Sequence, residues 1–337
     1  MSELTHHLSL ITEILQEFRP TMSNIADATG ATGRIDQAKT VSQSRRRLRL
    51  LPYLLVLPII LYETALIIYP IAQGVYGSFQ QIELAANEPP TWVGLKNYKR
   101  MFGDPGFWQT METTLIFTAL VIVAAISMGL LTALLFNRPF RFRPLARTML
   151  MLPWAFPDVP VAMIFLWILS PQFGVINVLA RLLPGVTQNP QWLQVPSLAM
   201  GWIVLITSWK AFPFYSLVIL AALQAVPQEL YEAAKVDGAN SLQLFWSITI
   251  PSIRTTLELL IVLASIFSFK QFTFIFLMTG GGPSGATETI VMRIYNTAFR
   301  FYDYSYATAF GVAGFVLSLI IAFFFISLQA RRAQENA

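Results

Sequence analysis

Six apolar segments divide this chain, and each has about twenty residues or more, the length that a helix needs to cross a bilayer. Prolines recur in or beside these segments, and membrane helices tolerate proline where neighbouring groups satisfy the freed carbonyls. The segments lie at about 50–78, 112–136, 147–170, 197–223, 255–279 and 306–329. The pattern therefore predicts an all-α membrane protein with six transmembrane helices, some of them kinked.

Composition agrees with a membrane location and narrows the chemistry. Charged residues make up 12% of the chain and hydrophobic residues 55%, whereas charged residues are about a quarter of a soluble protein. Six helices and their loops use up most of the 337 residues, so we expect one membrane domain. The absence of cysteine excludes disulfides and thiolate chemistry, and the two histidines, His6 and His7, both lie near the N-terminus. We expect no catalytic residues, no metal site and no enzyme activity in this chain.

Arginines cluster where the chain leaves the membrane, which predicts its orientation. One cluster precedes the first apolar segment, one lies between the second and third, and one follows the last, so all three fall on the same side. The clusters comprise Arg45, Arg46, Arg47, Arg49, Arg138, Arg141, Arg143, Arg147, Arg331 and Arg332. Basic residues concentrate on the cytoplasmic side, so both termini are predicted to be cytoplasmic. The net charge of +5 then reflects orientation signals, and we expect no nucleic acid partner.

The domain boundaries follow from the same pattern. Residues 1–44 hold one short amphipathic stretch within mostly polar sequence. We expect a flexible cytoplasmic tail there, with a docking helix as the alternative. Residues 45–332 are predicted to form the transmembrane domain, with a cytoplasmic loop at about 224–254.

That loop has the pattern of two short helices joined by a tight turn. It contains ELYEAAKVDGANSLQLFWSITIPSI, which runs from Glu229 to Ile253. Asp237-Gly238 supplies the turn, and Asn240 with a glutamine three residues later is typical of a helix start. The small side chains of Ala233 and Ala234 would let another protein approach closely. The residues alone leave two interpretations open, a plug for a partner protein and an interfacial helix.

Several motifs in this sequence resemble one family of transporters. EAAKVDGA at 232–239, with Ile250-Pro251 after it, is similar to the EAA coupling loop of binding-protein-dependent ABC importer permeases. Further similarity to the carbohydrate-uptake (MalF-like and UgpA-like) branch lies in WVGLKNYKRMFGDPGFW (92–108), TLIFT (114–118), SWKAFPF (208–214), LMTGGGP (277–283) and TETIVMRIYNTAFRFYDYSYATA (287–309). The chain departs from the usual pattern at Thr113, where asparagine is common, and at Thr255, where a second proline often stands.

The resemblance implies an assembly and a division of labour. It implies a MalF-like bundle of six helices in the bacterial inner membrane, paired with a second permease, two cytoplasmic ATPase subunits and an extracytoplasmic solute-binding protein. ATP and Mg would bind to the ATPase chains, since no phosphate-binding loop motif occurs here and the run Gly280–Gly285 lacks the lysine. A cytoplasmic coupling helix would contact the ATPase through Glu232, Ala233, Ala234, Asp237, Gly238, Ala239 and Pro251.

The resemblance also implies a path for a sugar or sugar derivative. Residues at matching positions are Thr207, Lys210, Ala211, Phe214, Phe267, Ser268 and Gln271, and Lys270 is adjacent to this set. Lys210 and Lys270 both fall near the middle of their apolar segments, where charged residues are costly and usually functional. Either the two lysines attract an anionic cargo, or each pairs with an acid and the cargo is neutral. Glu63 and Asp158 are expected to form structural pairs.

A different class of protein remains as the alternative. A self-sufficient secondary transporter or channel would show inverted internal repeats and would not need the 224–254 loop. No convincing repeat is apparent in the sequence, so we expect the importer permease.

Overall fold

A computed structural model of the protein describes residues 55–82, 89–182 and 184–335, which form two units, Met1–Ile71 and Ala72–Ala337. Helix α1 spans Leu55–Gly77, with a π-helical turn at Thr64–Ile68, and its residues up to Ile71 are the described part of the first unit. The predicted tail at 1–44 and the first arginine cluster lie outside the described residues. Glu63 forms no ion pair within the described ranges, so its expected pairing stays a prediction.

The second unit is almost entirely helical. Its only described strands are β1 (Gln80–Gln81) and β2 (Thr91–Trp92), an antiparallel pair in which Gln80 lies opposite Trp92. The helices are α2 (Lys96–Gly103), α3 (Pro105–Asn137), α4 (Arg143–Leu150), α5 (Leu152–Ala155), α6 (Asp158–Ile168), α7 (Ile176–Ala180), α8 (Pro196–Gln224), α9 (Gln228–Val236), α10 (Ser241–Leu244), α11 (Ile250–Phe269), α12 (Thr273–Met278), α13 (Ile290–Tyr295) and α14 (Tyr304–Glu335).

The long helices α3 and α8 pack closely along one another, and α11 packs against both. Ala125, Gly129 and Ala133 recur every fourth residue on the buried face of α3. Small residues at this spacing let two membrane helices approach until their backbones nearly touch. Gly129 faces Tyr215 and the backbone of Ser216 on α8, so this contact fixes the spacing of the two helices.

Gly129→Ala is expected to lower the melting temperature of the purified protein by several degrees. The added Cβ would lie 2.9 Å from Tyr215 Cβ and 3.2 Å from Ser216 N, which forces the helices apart. Such overpacking costs about 1–3 kcal/mol. Gly311→Ala on α14 is the matched control, because nothing lies within 4 Å of the Cβ added there. Equal melting temperatures for the two variants would contradict this account of the α3–α8 contact.

The third apolar segment, expected as one span over 147–170, is bent by 91° between α5 and α6. Proline disfavours a helical conformation in the residue before it, and Phe156, which precedes Pro157, is extended with φ −68° and ψ 143°. The described residues contain five helices that are long and apolar enough to span a membrane, or six if the bent pair counts as one span. The number six therefore stays a prediction.

The fifth segment begins well before its predicted bounds of 255–279, and it is broken near its C-terminal end, which lies at Met278. Helix continues N-terminally through a π-helical turn, Phe245–Thr249, to Ser241. Pro251 has no N–H to donate to the preceding turn, which explains why the regular hydrogen-bond pattern is interrupted there. Toward its C-terminal end the helix breaks at 270–272, and α12 begins after the break.

A partly buried ion network joins the start of α3 to α13. Arg293 lies 3.3 Å from Asp104 and 3.0 Å from Glu288, and Tyr306 on α14 donates a hydrogen bond to Asp104 at 3.2 Å. Asn296 donates a further hydrogen bond to Glu288 at 2.7 Å. These residues lie on the side predicted to be extracytoplasmic, and they hold three helices together there.

Candidate functional site

A cavity of about 360 Å³ opens between α3, α8, the bend at α5–α6 and the break after α11. Its lining residues are Val121, Trp154, Asp158, Thr207, Lys210, Ala211, Phe214, Tyr215, Phe267, Ser268, Lys270, Gln271 and Phe274. All eight residues that the sequence analysis assigned to a cargo path are among them. The structure thus brings these residues together, and their role in binding cargo stays a prediction.

Lys210 is neutralised by Asp158, which the sequence analysis expected to be paired. Its Nζ lies 2.9 Å from Asp158 Oδ1 and donates a hydrogen bond to the carbonyl of Trp154 at 3.2 Å. The lysine side chain is only 15% exposed. Asp158 begins α6 directly after Pro157, so the positive end of the helix dipole also favours its negative charge. The pair ties α8 to the bend and adds no net charge to the cavity.

Asp158→Asn is expected to lower the unfolding free energy by about 1–2 kcal/mol, because it leaves Lys210 charged and unpaired in a mostly buried site. The double variant Asp158→Asn/Lys210→Met removes both charges, and we expect it to recover most of that loss. Thermal unfolding of the three purified proteins measures both effects. If the double variant is less stable than the single one, the ion pair is not what holds α8 to the bend.

Lys270 differs from Lys210 because no carboxylate neutralises it within the part of the chain that the structure describes. It lies at the C-terminal end of α11, where the helix breaks. Its Nζ is 5.0 Å from the centre of the Phe267 ring, a cation–π contact that orients the side chain and leaves its charge in place. Among the described residues, Lys270 is therefore a positive charge in the cavity wall that no carboxylate compensates.

The remaining walls offer aromatic faces and hydroxyl groups. Trp154 and Phe214 stack with ring centres 6.3 Å apart, and the Phe267 ring faces the cavity from α11. The hydroxyl of Thr207 is buried and has no hydrogen-bond partner among the described residues. A buried hydroxyl without a partner carries a free-energy cost, which a hydrogen bond would remove. Aromatic faces and polar groups together suit a carbohydrate, which presents both apolar C–H faces and hydroxyl groups.

The cavity is also lined by Val121, Trp154, Tyr215 and Phe274, which the sequence did not predict as cavity residues. Trp154 and Asp158 lie on either side of the 91° bend, and both line the cavity. The prolines at 153, 157 and 160 were the available signal, since three of them in eight residues favour a break over a mild kink.

The loop at 224–254 has the helix, turn and helix that its sequence predicts. Gly238 adopts φ +84° and ends α9, with Ala239 N donating to Ala234 O at 2.9 Å and Gly238 N to Lys235 O at 3.0 Å. This pair of bonds is a Schellman motif, in which glycine at positive φ carries little strain. Asn240 Oδ1 then accepts hydrogen bonds from two backbone N–H groups, which starts α10.

The loop exposes its sequence-predicted coupling residues. Glu232, Ala233, Asp237, Gly238 and Pro251 are exposed, and Ala234 and Ala239 are half-buried. Large apolar side chains are exposed beside them, namely Leu230, Val236, Leu242 and Trp246. An apolar surface of this kind in a polar loop is typical of a protein contact.

Glycines in the run Gly280–Gly285 form a turn, and three of them have positive φ (61°, 93° and 78°). Thr287 donates a hydrogen bond to the carbonyl of Gly282 at 2.6 Å and closes the loop.

No described group of three or more His, Cys, Asp or Glu residues could hold a metal ion.

Comparison with known proteins gives consistent matches across most of the chain. Residues 122–335 match the family model described as "Binding-protein-dependent transport system inner membrane component". The sulfoquinovosyl glycerol transport system permease protein SmoG of Agrobacterium fabrum is 38% identical over 275 residues, covering 81% of this chain and 88% of the relative. The trehalose/maltose transport system permease protein MalF of Thermococcus litoralis is 33% identical over 286 residues, which cover 85% of this chain and 95% of the relative.

A solved structure has the same fold. One chain in the crystal structure of a bacterial ABC transporter involved in the import of the acidic polysaccharide alginate superimposes with a TM-score of 0.72 and 26% sequence identity. The match covers 87% of this chain and 99% of that one.

Proposed function

The chain belongs to the family of binding-protein-dependent transport system inner membrane components, and on that premise we propose that it is the permease subunit of an ATP-driven carbohydrate importer. In this proposal the cargo, a sugar or sugar derivative, passes through the cavity between α3, α8 and α11. The single observation that supports it is the cavity itself, where all eight sequence-predicted residues meet. They include aromatic faces and a lysine that has no carboxylate partner among the described residues.

The assembly that we propose follows the family. This subunit pairs with a second permease, two ATPase subunits on the cytoplasmic face and an extracytoplasmic binding protein. It spans the inner membrane with six segments and has both termini in the cytoplasm. ATP and Mg bind to the ATPase subunits, and this chain binds no cofactor of its own. A solved relative of this chain comes from an alginate transporter in complex with a periplasmic protein, which supports the last of these partners.

Coupling is assigned to the helix α9 and the turn after it. Its exposed face presents Glu232 with the small side chain of Ala233, which suits insertion into a cleft on the ATPase. The Tyr231 and Thr249 hydroxyls share a hydrogen bond of 3.2 Å, which ties α9 to the π-helical turn before α11. From that turn the helix runs without interruption to Phe269, next to the cavity. A displacement of α9 by the ATPase would therefore move one wall of the cavity as a rigid element.

The charge of the cavity favours an acidic cargo. Asp158 cancels the charge of Lys210, while Lys270 has no such partner among the described residues. An uncompensated cation in a membrane interior is costly and usually has a functional counter-ion. We therefore assign the acidic group of a sugar derivative to Lys270 and its ring to the aromatic faces of Phe214 and Phe267. The alginate transporter shows that this fold occurs with an acidic saccharide, and the trehalose/maltose relative is named for neutral ones.

The test is the ATPase rate of the complete complex in nanodiscs, measured with its binding protein across a panel of neutral and acidic carbohydrates. We expect an acidic member of the panel to stimulate hydrolysis. Stimulation by neutral members alone would disprove the assignment of Lys270, and failure of any ATPase subunit to associate would disprove the importer itself.

A further inference from the structure

Arg143 and Arg147 form a second concentration of positive charge, remote from the cavity, at the end of α8. With its amide oxygen turned toward them, Gln224 accepts hydrogen bonds from Arg143 Nη2 at 2.7 Å and from Arg147 Nη2 at 2.8 Å. Both guanidinium groups therefore lie side by side on one neutral acceptor. Among residues 55–82, 89–182 and 184–335, no carboxylate forms an ion pair with either of them.

The hydrogen-bonding capacity of the two arginines is only partly used. The Nε atoms of Arg143 and Arg147 are buried, and neither has a hydrogen-bond partner within the described chain. Arginine presents its N–H groups in a planar fork that matches the oxygens of a carboxylate or phosphate. Two adjacent forks held by one neutral acceptor make a site for an anion that brings several acceptor oxygens.

Helix α4 adds to the positive potential at this point. Arg143 is the first residue of the helix, and no side chain caps the N-terminus. The N-terminal end of a helix dipole is positive, so a basic residue there is unfavourable unless an anion is near. The two arginines, four residues apart, also share one face of α4.

The opposite face of α4 is apolar and exposed. Phe142, just before the helix, is 64% exposed, and Leu145 and Met149 are 56% and 53% exposed. A short helix with a basic face and an apolar face is typical of the membrane interface. The anions present at that level are the phosphates of phospholipids, so the surroundings of the arginine pair favour a lipid over a free ion.

We propose that Arg143 and Arg147 together bind the phosphate group of an anionic phospholipid, with Gln224 positioning both guanidinium groups. Such a site would lie where Gln224 joins α4 to the end of α8, beside the loop that begins after Gln224. The site is separate from the cargo cavity and does not depend on the proposed function.

The experiment is native mass spectrometry of the complete complex released from nanodiscs that contain phosphatidylcholine and phosphatidylglycerol. The wild type is expected to retain phosphatidylglycerol. Arg143→Gln/Arg147→Gln is expected to retain about tenfold less, because the variant loses the charge-assisted hydrogen bonds to the phosphate. Arg138→Gln/Arg141→Gln is the matched control, because it removes the same charge from exposed arginines in the same loop. It should retain as much lipid as the wild type.

A second variant is needed in case Arg143→Gln/Arg147→Gln does not assemble into the complex. Arg143→Lys/Arg147→Lys keeps both charges but lacks the planar forks, so we expect its retention to fall below that of the wild type. Equal retention by wild type and both variants would overturn the proposal, as would an equal loss in the matched control. Inorganic phosphate at millimolar concentration distinguishes the sources. Unchanged lipid retention supports the lipid, whereas a wild type that retains phosphate and no phosphatidylglycerol would overturn that source and assign the arginine pair to free phosphate.

Discussion

Glu232→Lys in the assembled importer is expected to abolish carbohydrate uptake and to lower the amount of ATPase subunit that co-purifies by about 100-fold or more, because a charge reversed inside a protein interface costs several kcal/mol. Glu232 lies on the exposed face of α9, and its replacement leaves the helix intact, since lysine is also a good helix former. The loss would therefore come from the contact with the ATPase and not from the fold of the loop. Co-purification followed by quantitative mass spectrometry measures it.

Lys99→Glu is the control for Glu232→Lys. It reverses an exposed charge on α2, on the side of the membrane predicted to face away from the ATPase. We expect normal amounts of ATPase subunit in this variant. If Glu232→Lys retains the ATPase as Lys99→Glu does, α9 is not the coupling helix.

Lys270→Met is expected to reduce uptake of an acidic carbohydrate by about 10- to 100-fold at low cargo concentration. The reason is that the cargo loses a hydrogen bond to a charged group. Methionine keeps the length and most of the volume of the side chain, so the cavity should keep its shape. Uptake of a neutral carbohydrate, if any occurs, should not fall. Initial rates of labelled uptake into proteoliposomes give both numbers.

The double variant Lys210→Met/Asp158→Asn is the control for this prediction. It also removes a lysine from the cavity wall, but it takes the paired carboxylate with it, so the net charge of the cavity does not change. We expect acidic cargo to be transported far better by this variant than by Lys270→Met. Equal transport by Lys270→Met and the wild type would show that the cargo does not contact the lysine.

The sequence predicted those features that depend on short stretches of chain. The helix, turn and helix at 224–254 follow from an Asp-Gly turn and an asparagine start signal, and the structure has both. The long apolar helices α3, α8 and α14 overlap their predicted segments, because length and hydropathy are enough to indicate them.

Features that depend on tertiary contact could not be predicted in the same way. Average hydropathy does not distinguish a straight third span from one bent by 91°. No glycine or proline lies at 270–272, so the sequence did not predict that the helix breaks there. Nor did it predict that Lys270 has no carboxylate partner among the described residues. Lys210 and Asp158 meet only through packing of α8 against the bend, and their pairing decides which lysine carries net charge.

As the permease of an importer, this chain should move carbohydrate only when a separate ATPase drives it. The direct measurement is uptake of a labelled acidic carbohydrate into proteoliposomes that hold the complete complex, with binding protein outside the vesicle and ATP inside. We expect the carbohydrate to accumulate inside the vesicles only when ATP is present. Accumulation should disappear when the ATPase subunit is replaced by a hydrolysis-deficient form. Accumulation driven by an ion gradient, with no ATPase subunit present, would contradict it and identify a self-sufficient secondary transporter.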